Sequence, residues 1–436
     1  MKKPPKLPGM ILMDAQRRLL PPLLPFLFFI VAATCHAGVW LGVIFVAEDI
    51  PSYTGGPGPV LAVLHLLTLG VMMATAIGAA IQLLPVATGL AHKSLLPARL
   101  LMWLFLPGVL CLTSGFMLTD QFLMSAGALL VTLALMVFLH IVTSMLWRAT
   151  TLKLAVAHAW ISMASLFGLL GLGVALVLDF DFAWLLDHQN TAAQHMVLAA
   201  CGFMGFLAIG FGNILVPMFA LSQSPSGKVG WVSWTFLVAG LVGVLAGLNF
   251  QLNALILIAA VVGLIGAALH IKTMVWCLQN GMRKKLGLSF VLIKGAWGMM
   301  LLSIALGAAL ILDLLGDQGP ALFGFVLLFG WLLTYIKGML QRIVPFLAAM
   351  NMSKRNHKPP RLSELAAGLP LKLHAVCHVL AIVLGAASIA VDQSVGLQAA
   401  GVIGFIGAAS FVWFCFSVLQ SYLDRKSTRL NSSHVE

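Results

Sequence analysis

Eight histidines fall inside long apolar stretches of this sequence: His36, His65, His140, His158, His195, His270, His374 and His378. An ionisable group in such a stretch is costly to bury, so each is a candidate for function. Neutral imidazole is a common ligand of haem iron and of copper. His65 and His195 form the sharpest pair, because each opens an apolar stretch that ends in a proline about 20 residues on. With His36 they read as cofactor ligands in the outer half of the membrane. The remaining five belong to the inner half. His374 and His378 are four residues apart, hence on one helix face, a spacing that chelates one metal or relays protons. His140 and His270 stand in matching contexts, Leu-His-Ile followed by Thr143 or Thr273. They suggest packing first, and with Lys337 a proton or ion pathway. For every one of these residues the plain alternative is a hydrogen bond between helices. His92, His188 and His357 read as loop residues without a special role.

Such residues need a scaffold, and composition says what kind. The chain has 436 residues, 61% hydrophobic and only 9% charged, with a mean hydropathy of +1.04. A soluble domain carries about 25% charged residues. This chain cannot cover a globule in water, and lipid is its solvent. The net charge of +12 sits in short loops, which argues against nucleic acid as a partner. Cys35, Cys111, Cys201, Cys277, Cys377 and Cys415 all lie in apolar stretches and read as small buried hydrophobes. The first apolar run lacks the small-residue site of a cleavable signal peptide.

Apolar runs of about 20 residues or more mark spans. They predict an all-α transmembrane bundle of twelve helices: 22–47, 58–86, 98–118, 121–148, 152–178, 192–221, 230–249, 252–277, 287–312, 319–349, 369–391 and 396–423. Residues 1–21 form a cytoplasmic N-terminal segment, and 22–423 one membrane domain. Residues 424–436, beginning Asp424-Arg425-Lys426-Ser427 and including His434, read as a translated sequencing adapter and are set aside. The native C-terminus beyond residue 423 is left open.

Charge sets orientation. Lys and Arg precede the first span and fill the even-numbered loops, as at Lys93, Arg148, Lys228, Arg283, Lys284, Lys285 and Arg355. The odd loops hold Glu48, Asp120, Asp181, Asp187, Asp313 and Asp392, with no Lys or Arg. Positive residues stay inside, so both termini are expected in the cytoplasm and the protein in the cell inner membrane.

An internal repeat accompanies the spans. Gly70, Gly78 and Pro85 in the second, Gly202, Gly210 and Pro217 in the sixth, and Gly330, Gly338 and Pro345 in the tenth share one spacing. Chance predicts roughly 0.2 such patterns in a chain of this composition. Gly42 to Glu48, Gly173 to Asp179 and Gly307 to Asp313 repeat a second spacing. Three pseudo-repeated four-helix units follow, roughly 22–148, 152–277 and 287–423. Gln82, Asn213, Gln341 and Arg342 stand near the prolines, where they can satisfy backbone groups freed by the ring.

Three four-helix arcs with a histidine opening the second and sixth helices resemble subunit I of the haem–copper oxidase superfamily. The stretch His65-Leu66-Leu67-Thr68-Leu69-Gly70, running on to Gln82-Leu83-Leu84-Pro85, resembles that family's helix 2, and is also similar to NnrS-like haem- and copper-associated membrane proteins. The resemblance implies that His65 is a haem axial ligand and that His195 sits on the copper-bearing helix. Haem and copper are the cofactors it implies, and other membrane subunits its partners alongside the bilayer. The chain departs from the family where that copper helix carries His-Pro-Glu-Val-Tyr, having His195-Met196-Val197 instead. The histidines expected in the seventh and tenth spans are missing. A complete oxygen-reducing centre is therefore not expected, and oxidase or nitric oxide reductase activity is disfavoured. The setting would be respiration, nitric oxide response or metal handling. Two other classes stay open: a secondary transporter, whose repeats are more often two-fold, and a non-catalytic assembly subunit with structural histidines.

Overall fold

The computed structural model describes residues 21, 23–90, 94–224, 227–353, 362–366 and 368–432. Among them there is no strand. Twelve helices are long and apolar enough to cross a membrane: α1 Leu23–Phe45, α2 Pro59–Pro85, α3 Leu96–Leu118, α4 Gln121–Leu146, α5 Lys153–Phe182, α6 His188–Ala220, α7 Lys228–Asn249, α8 Asn253–Asn280, α9 Leu288–Ile311, α10 Gly319–Met352, α11 Gly368–Ala390 and α12 Ser394–Leu423. The protein is an all-helical, multi-pass membrane protein. A backbone in lipid must satisfy its polar groups internally, which a helix does within each span.

Three helical hairpins, α3/α4, α7/α8 and α11/α12, pack tightly along their lengths. Small residues make this possible. In α7/α8, for example, a Cβ on Gly240 would lie 2.8 Å from the Cα of Gly263. Polar caps fix the tight connections. Asp120 accepts a hydrogen bond from the Leu123 amide at 2.8 Å and starts α4, and Asp187 does the same for α6 through Asn190 at 2.9 Å. Between the hairpins, α4 packs on α5, α8 on α9, and α12 back on α1, closing a ring. Helices α2, α6 and α10 are the most enclosed, with 61–67% of their apolar windows buried, against at most 50% for any other helix.

These three helices share a local distortion. Each contains eight π-helical residues: Leu66–Met73, Leu198–Gly205 and Val326–Leu333. The first repeated glycine (Gly70, Gly202 or Gly330) is the fifth residue of each segment. A Cβ there would press on Cys35 of α1 or Ser165 of α5, and would meet Met299 of α9 at ordinary contact distance. At the second glycine it would press on Phe29, His158 or Ile293 of the same three helices. Gly42, Gly173 and Gly307 in turn face Val63, His195 and Phe323, each seven residues before the first glycine. The spacings seen in the sequence are therefore contact points between α1 and α2, α5 and α6, and α9 and α10.

Two expected boundaries move. Helix α5 runs four residues further, to Phe182, and α6 begins four residues earlier, at His188. The cause is Asp179, whose carboxylate accepts from the Leu185 amide and from His188 Nδ1–H, both at 2.7 Å. His188 thus belongs to a helix and pairs with Asp179, where a free loop residue was expected. Hydropathy missed this, since the acidic turn interrupts the apolar run. The helix of α12 continues to Ser432. The side chains beyond Leu423, on which the adapter reading rests, lie outside the described residues. So do Lys93, Arg355 and His357.

Candidate functional site: buried histidines in two groups

The first group lies where α2 and α6 begin. His65 Nδ1–H donates to the Leu61 carbonyl at 3.1 Å. The ring packs on Phe116 of α3, centroids 4.7 Å apart. His195 Nδ1–H donates to the Leu169 carbonyl of α5 at 3.0 Å. Because the partner of each Nδ1 is a carbonyl, that nitrogen carries the proton and Nε2 keeps its lone pair. Neither Nε2 makes a hydrogen bond. Residues 188–199 of α6 include none that is fully buried, whereas the stretch from Ala200 to Ala220 is largely buried. His65 and His195 are themselves half-buried.

The second group sits near the middle of the bundle. His36 of α1, His374 and His378 of α11, and Lys337 of α10 are all essentially inaccessible, at 0–1% exposure. Ring centroids are 6.0 Å apart for His36–His374, 6.2 Å for His36–His378 and 5.4 Å for His374–His378. Lys337 Nζ lies 4.5 Å from the centre of the Phe411 ring of α12, which His374 also contacts at 4.8 Å. Each imidazole is held by one nitrogen. Trp40 Nε1–H donates to His36 Nε2 at 3.0 Å. His374 Nδ1–H donates to the Gly407 carbonyl at 3.1 Å. Thr334 gives its proton to the Phe329 carbonyl at 2.8 Å, so it accepts from His378 Nε2–H at 2.9 Å. The other nitrogens, His36 Nδ1, His374 Nε2 and His378 Nδ1, have no hydrogen-bond partner, and neither has Lys337 Nζ.

This regroups the residues. His36 does not join His65 and His195; it completes a cluster with the α11 pair. Counting residues from helix ends explains the difference, since His36 and Lys337 both fall near the midpoints of their helices. The expected pathway through Lys337, His140 and His270 is not contiguous. His140 is exposed on α4. His270 is buried beside His158 and lies close to where Tyr335 bonds the Ala208 carbonyl at 3.1 Å. Their matching sequence contexts did not give matching surroundings, because α4 and α8 turn those positions to different faces. The residues that hold the central cluster, Trp40, Thr334 and Phe411, were not foreseen. Trp40 was detectable, being four residues after His36 on the same helix.

Among the described residues, no three His, Cys, Asp or Glu side chains converge closely enough to hold a metal ion as they stand. A two-nitrogen site is compatible with this. His65 and His195 offer two lone pairs on rings already oriented by carbonyls, the outer-shell arrangement typical of metal-bound histidine. The chain matches no protein-family model, and no curated protein matches it.

Proposed function

We propose that this is an inner-membrane protein laid out like subunit I of the haem–copper oxidases, binding one haem or a copper ion between α2 and α6 through His65 and His195. The observation that carries the reading is the pair of anchored, half-buried imidazoles, each with Nδ1 spent on a carbonyl and Nε2 unpaired, at the start of the two helices. The π-helical segments that follow them add support, because such segments are frequent at functional sites. A haem iron held there would supply one-electron chemistry or bind a diatomic gas. The chain's own residues orient the ligands: Leu61 and Leu169 set the tautomers, and Phe116 fixes the plane of His65.

In this reading α1–α4, α5–α8 and α9–α12 are three pseudo-repeated units, with α2, α6 and α10 in equivalent places. The shared π-segment register and the matched glycine contacts support it. Val63, His195 and Phe323 occupy one repeated position, and His65, Val197 and Phe325 another. The two histidines are thus offset by two residues, and the third unit offers phenylalanine at both places. The charge distribution supports cytoplasmic termini. Missing histidines on α7 and α10 argue for electron transfer, gas sensing or metal handling without oxygen reduction. The test is the absorption spectrum and metal content of the purified protein and of its His65→Ala and His195→Ala variants. A second reading, a secondary transporter, draws on the buried basic cluster at mid-bundle.

A further inference from the structure

The central cluster has an unusual charge composition. Facing it are His36 and Cys35 from α1, Lys337 from α10, His374 and His378 from α11, and Cys415 from α12, the cysteines lying within electrostatic reach of Lys337. Lys337 lies on the ring of Phe411, against which His374 also packs, and its charge reaches all three imidazoles. Among the residues whose side chains are described, every Asp and Glu lies in a connection or in a terminal turn of a helix, and none is near the cluster. Four basic groups are enclosed without an acid.

An isolated charge in such a place is prohibitively costly unless a counter-charge accompanies it. The cluster therefore has two economical states. In one, all four groups are neutral. In the other, each bound proton arrives with an anion. The hydrogen bonds say how the anion would be held. His36 already presents Nδ1–H. Protonation turns His374 Nε2 and His378 Nδ1 from acceptors into donors and makes Lys337 an ammonium, so every orphan atom becomes a donor. A metal cation fits less well. Trp40 occupies the His36 lone pair, and the Lys337 ammonium opposes a cation.

We propose that this cluster is a proton-coupled binding site for a small monovalent inorganic anion, such as chloride, nitrate or nitrite. Its position near the middle of four helices suits a species that is carried across the membrane or that senses its concentration. The site is separate from His65 and His195 and does not depend on a cofactor there.

The test uses full-length protein in detergent. Thermal stability is titrated with sodium chloride, nitrate or nitrite against sodium gluconate at equal ionic strength, between pH 5 and 8. Stabilisation by at least one anion is expected at low pH. Its apparent affinity should fall about tenfold for each pH unit above the protonation range, the linkage of one proton to one anion. Adding the anion to weakly buffered protein should draw about one proton per site from solution, seen with a pH dye. Lys337→Met removes a buried amine and should fold while losing both responses, and His374→Gln with His378→Gln gives an independent second variant. Cys35→Ala with Cys415→Ala should keep them, since thiols are not the counter-charge. Indifference to all three anions overturns the proposal. So does equal stabilisation in Lys337→Met, or pH-independent affinity. Stoichiometric zinc or copper lost in the histidine variant would make this a metal site instead.

Discussion

His195 on α6 donates its Nδ1–H to the carbonyl of Leu169 on α5, at 3.0 Å across 26 residues of chain. One ring nitrogen is thereby fixed by a neighbouring helix while the other stays without a partner. Replacing the ring by one of similar size and no polarity removes both roles and keeps the packing. His195→Phe should lose one buried hydrogen bond, about 1 kcal/mol, seen as a small fall in thermal stability, and should lose any cofactor that Nε2 holds.

Close packing of the inner helices predicts a position-specific cost. A Cβ on Gly338 would lie 2.8 Å from Ile293 Cγ1 and 2.9 Å from the Ser289 carbonyl oxygen, whereas one on Gly298 would meet nothing within 4 Å. Gly338→Val should destabilise by about 1–3 kcal/mol more than Gly298→Val. Thermal unfolding of both variants in the same detergent checks it, and equal effects would contradict the contact between α9 and α10.

Lys337 is fully inaccessible, and its Nζ has no hydrogen bond, only the face of Phe411. An unmatched buried polar group costs about 1–3 kcal/mol. Lys337→Met, of similar length, should therefore raise thermal stability in gluconate buffer. A fall in stability would mean that the amine has a partner on which the bundle depends.

Topology gives a fourth expectation. With native cysteines replaced, Asp187→Cys and Asp313→Cys should react with a membrane-impermeant maleimide in intact cells, and Lys228→Cys and Lys284→Cys only after lysis. The reverse pattern would invert the orientation.

The spans were legible because hydropathy acts over twenty residues at a time, and their centres agree with α1–α12. The turn from Asp179 to His188 was not, since one carboxylate bridging two helices leaves no periodic trace. The glycine spacings were visible as a pattern. That Gly70 meets Cys35, and Gly173 meets His195, became clear only once α1 lay against α2 and α5 against α6. His374 and His378 were readable as a pair from their four-residue spacing. Their grouping with His36 and Lys337 depends on α12 closing the ring onto α1, a contact between the two ends of the chain that no local pattern encodes.

The most direct test is the visible spectrum of full-length protein purified from haem-replete cells, with iron and copper measured on the same sample. A Soret band or about one equivalent of copper is expected, lost or shifted in His65→Ala and in His195→Ala and retained in Lys337→Met. No Soret band with neither metal, or a spectrum unchanged in both histidine variants, would contradict cofactor binding between α2 and α6.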